Sequence, residues 1–379
     1  MSSTNESDAE LLDCLRLHLV PGIGPRHSQL LLDYFGSPQA VLGASIAQLQ
    51  DVDGIGPKIA NTIAAVTLGR DAEQELAEAQ RLGVRLLRRG TDEYPPAIAR
   101  ICDPPLLLYC KGSIKPQDEL AVAIVGSRRC TVYGKQQAEK FAAALAQAGV
   151  TIVSGLARGI DGAAHQGAIS VGGRTIAVMG TGLAEVYPPE HGELAKQVVA
   201  HGAMLTEFKL AQRPNAGLFP QRNRIISGLS LAVVIVEASR SSGALHTARH
   251  AMEQGREVLA VPGRIDSLAS EGCHDLIRDG ATLVRHVDDI MAAIGPLTKP
   301  VTTTSDSHNA TTVHSLRELS LNEIERHVLN LITADPIHQD QIITATSLEP
   351  PRVLSTLTVL EMKRLIRRQP GGFFIRSPW

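Results

Sequence analysis

The chain has 379 residues, of which 44% are hydrophobic and 20% charged, with a formal net charge of −2. Such a length allows more than one domain with an ordinary core, and such a balance describes a globular chain rather than a disordered one. A net charge this small excludes a globally basic surface, so any affinity for nucleic acid has to come from local patches.

Residues 1–82 read as a helical module containing a repeat. VPGIGPRHSQLL (Val20 to Leu31) and VDGIGPKIANTI (Val52 to Ile63) align without a gap. Each runs apolar, x, Gly, Ile, Gly, Pro, basic, then an amphipathic helix. The repeat resembles the helix–hairpin–helix motif, whose Gly-Ile-Gly turn brings a helix N-terminus close to a nucleic-acid phosphate. The same glycines also suit a plain tight turn in a SAM-like module with no DNA contact, and both readings stay open.

Residues 83–295 alternate between short apolar runs and helical stretches. Val84 to Gly90 and Leu106 to Tyr109 form a lead-in to the main sheet. From Ala121 to Asp161 the order is strand, helix, strand, a crossover that makes the two strands parallel. Further runs follow at Thr175 to Met179, Ala203 to Thr206, Leu231 to Glu237, Glu257 to Val261 and Ala281 to Val284. Helical stretches, among them Pro188 to Val199, Gly243 to Gln254 and Glu271 to Arg278, separate them. The expected fold class is α/β: an extended Rossmann-like, doubly wound sheet of about seven parallel strands. Sheets of this kind bind ligands beyond the carboxyl ends of their strands.

Residues 296–320 are rich in Thr, Ser and Pro and read as a flexible linker. Residues 321–379 offer three helices, Asn322 to Thr333, Gln339 to Thr346 and Pro350 to about Arg364, then two short strands around a Pro-Gly-Gly turn. That is a winged helix. Its third helix carries VLSTLTVLEM between Arg352 and Lys363-Arg364, whereas reading a duplex wants polar and basic side chains along its length. A protein-contacting or vestigial module fits better than a duplex reader.

Four strand-to-helix turns could carry chemistry. The first, Gly126, Ser127, Arg128 and Arg129, is no dinucleotide fingerprint, because Arg128 stands where the second glycine belongs. It combines exposed amides with two guanidiniums and suits an oligoanion. The second, SGLARGID, places Arg158 between Gly155 and Gly159 ahead of a helix N-terminus. Asp161 and His165 follow, better read as a helix cap and a supporting polar residue than as an acid–base pair. The third, LFPQRNRIISGLS, sets Phe219 beside Arg222, Asn223 and Arg224. An aromatic face for a base and charges for its backbone suit single-stranded nucleic acid, and aromatics are only 3% of this chain. A core plug at the helix entrance is the other reading of Phe219. The fourth, EASRSSGALHTARHA, adds Arg240, Ser242 and Gly243. No lysine nucleophile, paired carboxylate or metal-ligand cluster accompanies these turns, so no catalytic residue, metal or cofactor is expected.

Cys14, Cys102, Cys110, Cys130 and Cys273 are odd in number and lack CxxC spacing, which fits reduced thiols and a cytoplasmic location. No apolar run reaches the length of a membrane span, and the polar N-terminus carries no apolar h-region, so neither a span nor a secretory signal is expected.

GSR, SGLARGID, FPxRNRIISGLS, SGALHTARHA, AVPG (Ala260 to Gly263) and LIRDGA (Leu276 to Ala281) stand together in an order that resembles the DNA-processing protein A (DprA/Smf) family. The resemblance runs from Leu11 to Trp379. It implies a homodimer that binds single-stranded DNA and loads the RecA recombinase onto strands coated by single-strand-binding protein, in natural transformation and recombination. It also implies that Arg128, Phe219, Arg222, Asn223 and Arg224 line the strand-binding pocket. Ala216 and Gly217 stand where some members would carry a basic or polar residue, which leaves Lys209 and Arg213 as candidates for the pocket lysine. Two rivals come from other classes. A nucleotide N-glycosidase of the lysine-decarboxylase-like group would need a PGGxGTxxE loop, but here Glu237 precedes the corresponding turn and Glu253 lies beyond it. A duplex-binding winged-helix regulator would rest on the apolar third helix.

Overall fold

Helices occupy the first part of the chain, at Ser2–His18, Pro25–Phe35, Pro38–Gly43, Ile46–Gln50, Pro57–Val66 and Asp71–Arg81. In this computed structural model the described residues are 2–66, 70–295, 302–303, 311–312, 323–332, 336–346, 348, 350–362, 365–369 and 371–376. They divide into a larger unit, Met1–Ile294, and a smaller one, Gly295–Trp379. Gly22 and Gly54, equivalent in the repeat, take left-handed φ angles of 89° and 81°. A Cβ on Gly22 would touch Ile59, and one on Gly54 would touch the His27 ring. Ile59 and His27 are also equivalent positions, so each turn rests on the helix of the other repeat. Leu15, Leu17, Leu31, Leu49 and Ile63 fill the module, and their cluster continues onto one face of the sheet through Tyr109, Met179, Leu183 and Leu210.

The main sheet contains β1 (Arg85–Arg88), β2 (Leu107–Gly112), β3 (Ala121–Gly126), β4 (Thr151–Ser154), β5 (Thr175–Val178), β6 (Gly202–Thr206), β7 (Ala232–Val236), β8 (Glu257–Ala260) and β9 (Thr282–Leu283). Their order is β1-β2-β6-β5-β4-β3-β7-β8-β9. Every neighbour from β6 to β9 is parallel, and β1 and β2 extend the β6 edge antiparallel. The chain walks outward from β3 to β6, then returns to the other side of β3 with β7 and walks out to β9. The direction of winding therefore reverses at the β3–β7 pair, where a doubly wound sheet opens a crevice. AVAIV in β3 and AVVIV in β7 are uninterrupted apolar runs because helices cover both faces of these central strands. The extended, doubly wound fold is the one expected, with the lead-in strands at the sheet's edge.

The helix after β3 spans Val132–Gln147, and the Thr131 hydroxyl caps it by accepting from Gly134 N. Among the described residues no helix is long and apolar enough to cross a membrane.

In the smaller unit, helices Glu323–Asn330, Gln339–Thr346 and Pro350–Met362 surround Val328, Leu329, Ile342, Val353, Leu357 and Phe374. Strands Ile366–Gln369 and Phe373–Arg376 form the wing, and a short strand not foreseen, Ile337–His338, pairs with the latter. This is the winged helix. Within the segment read as a linker, Thr302–Thr303 pairs antiparallel with Thr311–Thr312; the remainder of that segment, and Lys363 and Arg364, lie outside the described residues.

Candidate functional site

The carboxyl ends of β3, β4 and β7 are locked together through their backbones. Ser127 N donates to Glu237 O at 2.8 Å, and Ile160 N donates to Ser127 O at 3.2 Å. Gly159, with φ of 76°, allows this contact, since a Cβ there would come within 2.3 Å of Ser127 O. Leu156 and Glu237, at the ends of β4 and β7, hold left-handed φ angles of 55° and 53°, a strained conformation for residues with a Cβ. The Glu237 carboxylate accepts from Thr131 N at 2.7 Å and from the Thr131 hydroxyl. It thereby holds the N-terminus of the Val132–Gln147 helix, where a negative charge is favourable.

A cleft of about 900 Å³ opens over this edge. Gly126, Ser127, Arg128 and Arg129 form its rim on β3, with Phe219 and Tyr187 at one side and Ser242, Gly243, His246 and Leu268 also lining it. Arg128 and Arg129 are exposed, and neither has a carboxylate partner among the described residues. The Arg128 guanidinium stands 4.7 Å from the centroid of the Phe219 ring, a cation–π contact. Tyr187 packs on the same ring with centroids 5.9 Å apart, and the ring rests on Gly180, where a Cβ would collide with it. Phe219 is half-buried. It is a wall of the cleft, and one of its faces carries the Arg128 guanidinium.

The floor differs from the rim. Arg222, 3% exposed, donates from Nη1 to Gly155 O at 2.8 Å and to Val178 O. Its guanidinium fills the space where a Gly155 side chain would be. Burial pulls Arg222 down to about 10, with the Asp161 charge opposing the shift and the Arg128 charge adding to it. Asn223 donates from Nδ2 to Gly243 O at 3.3 Å. Arg224 is turned away altogether, paired in the interior with Glu207 and, at 3.0 Å, with Asp103. It does not line the cleft. Of these two residues expected to line the strand-binding pocket, Arg222 lines the cleft with its guanidinium engaged by backbone carbonyls, and Arg224 does not line it. Arg222 shares its helical stripe with Ile225, Ile226 and Leu229, the i, i+3, i+4, i+7 set that faces the sheet. Arg224 faces the lead-in segment and the end of β6.

Two further expected cations already carry carboxylates. Arg158, outside the cleft lining in a small pocket that shares Arg128, Tyr187 and Phe219 with it, pairs with Glu190. Arg240 pairs with Asp275 at 2.7 Å and with Glu271 at 3.8 Å, outside the cleft lining. Ser242 and Gly243 do reach the cleft, just before the Ala244–Glu253 helix.

Asp161 and His165 belong to the support of this floor. Burial raises the Asp161 carboxyl, against the Arg222 charge, and Ala157 N reaches it at 3.4 Å. His165 is fully buried and lies 2.6 Å from Thr175 Oγ1 through Nδ1. The Thr175 hydroxyl donates to Ile152 O at 2.9 Å, so it accepts from His165 and the proton sits on Nδ1. Burial pushes His165 down to about 3.

Sequence reasoning missed Tyr187, Pro214, Asn215, His246 and Leu268, all of which line the cleft. Tyr187 alone had a usable signal, an aromatic before two prolines in a chain poor in aromatics. Pro214, Asn215 and Leu268 reach the cleft only through the packing of loops, and His246 through that of the Ala244–Glu253 helix.

The family model for DNA recombination-mediator protein A matches residues 85–295. A DprA winged helix domain model matches residues 315–372, and a SAM-like helix-hairpin-helix tandem model matches residues 15–66. The chain is 33% identical to Protein Smf of Synechocystis sp., covering 93% of this chain and 95% of that one. The X-ray structure of DNA processing protein A from Streptococcus pneumoniae is similar at a TM-score of 0.64 and 35% identity, over 74% of this chain and 95% of that one. The protein of the same name from Helicobacter pylori, whose structure concerns its single-stranded DNA binding mode, is similar at a TM-score of 0.50 and 32% identity. That match covers 55% of this chain and 93% of the other.

Proposed function

The chain belongs to the DNA recombination-mediator protein A (DprA/Smf) family, and from that premise we propose that it binds single-stranded DNA in the cleft at the β3–β7 reversal. On this reading it acts in the cytoplasm as a homodimer, without catalysing a reaction. It loads RecA onto strands coated by single-strand-binding protein, in the processing of incoming DNA and in recombination. The observation that carries the reading is Arg128: an exposed guanidinium with no carboxylate partner among the described residues, resting on the half-buried ring of Phe219. A phosphate offers that guanidinium a charge partner, and a base offers the ring a face to stack on.

In a duplex the base faces are already stacked, so a site of this kind prefers single strands and tolerates any sequence. The Helicobacter pylori relative, described by its single-stranded DNA binding mode, supports the choice of ligand. The role of Glu237 supports binding over glycosidase chemistry, because its carboxylate is engaged at a helix N-terminus.

Fluorescence anisotropy with oligothymidine and with a duplex of equal length, across a salt series, tests the reading. The wild-type protein is expected to prefer the single strand. Arg128→Ala is expected to weaken binding and lower the salt slope by about one counterion. Unchanged affinity and slope in that variant would remove Arg128 from the interface.

A further inference from the structure

We infer that the N-terminal helical module is a working part of the cleft, and that Glu75 is the positioning residue through which it acts. This rests on the single-strand reading of the cleft. The segment from Glu207 to Gly217, between β6 and the Leu218–Leu229 helix, forms part of the cleft wall through Pro214, Asn215 and Ala216 and leads straight into Phe219. It contains no strand or helix of its own. Its path is therefore set by what holds it from outside.

What holds it is the helical module. Leu210 N donates to Glu75 Oε1 at 2.6 Å, a short charge-assisted bond from the Asp71–Arg81 helix. The Leu210 side chain is 2% exposed, in one apolar cluster with Leu15, Leu17, Ala72 and Ala79 of the module. Nearer β6, the backbone of Glu207 meets the half-buried His18, on the Ser2–His18 helix.

From this anchor the restraint passes to the site. Ala184 N donates to Leu210 O at 3.1 Å, and Gly182 N donates to Gln212 O at 2.9 Å. The held segment is thus zipped to the one after β5, which carries Tyr187 onto the Phe219 ring. Lys209 and Arg213 lie on either side of Leu210, exposed and without a carboxylate partner among the described residues. One carboxylate on the module therefore sets the cleft wall, the neighbour of the aromatic ring, and the place of two cations. The helical module has a role here that requires no DNA contact of its own.

The test compares Glu75→Ala with Glu75→Gln in the full-length protein. Glutamine keeps a carbonyl oxygen for Leu210 N, and alanine does not. The first readout needs no DNA: trypsin cleavage of the Lys209–Leu210 bond, expected to speed up several-fold in Glu75→Ala and to stay at the wild-type rate in Glu75→Gln. The second is oligothymidine affinity, expected to fall about tenfold in Glu75→Ala and to recover in Glu75→Gln. Glu75→Asp withdraws the oxygen by one methylene and serves in place of alanine if that variant does not fold. Wild-type cleavage in the folded alanine or aspartate variant would overturn the anchor. Faster cleavage with wild-type affinity would overturn its role in the cleft. Failure of the wild-type protein itself to bind oligothymidine would instead overturn the single-strand reading, and the cleavage rates would still report whether Glu75 holds the wall.

Discussion

Arginine serves opposite purposes at the rim and on the floor of the cleft. Arg128 and Arg129 leave β3 in a turn, project into solvent and have no carboxylate partner among the described residues. Arg222 and Arg224 enter the Leu218–Leu229 helix on its buried side. There Arg222 fastens the helix to the carbonyl ends of β4 and β5, and Arg224 neutralises Glu207. A guanidinium at the rim is available to a phosphate. One on the floor is a structural strut, and removing it leaves carbonyls or a carboxylate unpaired in the interior. The comparison separates binding from stability, and it can be broken at several points.

The largest effect is expected from Arg224→Ala. With Glu207 left buried and uncompensated, the loss of stability should be about 3–5 kcal/mol in denaturant unfolding. Single-strand affinity per folded molecule should hold. A variant of wild-type stability with weakened binding would move Arg224 from the interior to the rim.

Acidification probes the same buried polar layer. Burial pushes His165 down to about 3 and His18 to about 4 from 6.5, while Glu207 is pushed up to about 7 from 4.5 by burial, against the Arg224 charge. Between pH 6.5 and 4.5 the unfolded chain takes up protons on two histidines that the folded protein refuses. The buried carboxyls of Glu207 and Asp161, both raised by burial, offset part of that uptake, so stability should fall on acidification by less than the about 2.7 kcal/mol per pH unit that two histidines alone would give. A denaturant midpoint that stays level or rises from pH 6.5 to 4.5 would contradict this account of the buried histidines and carboxyls.

At the rim, Phe219→Ala should cost about 1–3 kcal/mol in single-strand affinity while leaving the salt slope alone. Phe219→Trp should keep most binding and report it by quenching, against the one native tryptophan at position 379. Several degrees lost in the thermal midpoint of Phe219→Ala, with binding per folded molecule intact, would make the ring a plug after all. The smallest effect belongs to Arg240→Ala. That exposed side chain is already paired with Asp275 outside the cleft, so neither stability nor affinity should move measurably.

The elements of the core were legible in the sequence because their signals are local. Short apolar runs, glycines at strand ends and helical spacing between them placed β3 to β9 and the strand-to-helix turns within a few residues. The GSRR turn could be read as a ligand edge for the same reason: a buried strand that stops at a glycine must present the next residues there. Tertiary structure alone decided the rest. It set β7 against β3 and so brought Ser242 and Gly243 to the cleft with Arg128. It turned Arg222 and Arg224 inward, which the run of charges in FPQRNR does not disclose, because a charge in sequence carries no direction until the helix packs. It carried Tyr187 onto Phe219 and tied Leu210 to Glu75 across a long separation in the chain. Propensity and pattern act over a few residues, whereas the availability of a side chain depends on every segment that packs around it.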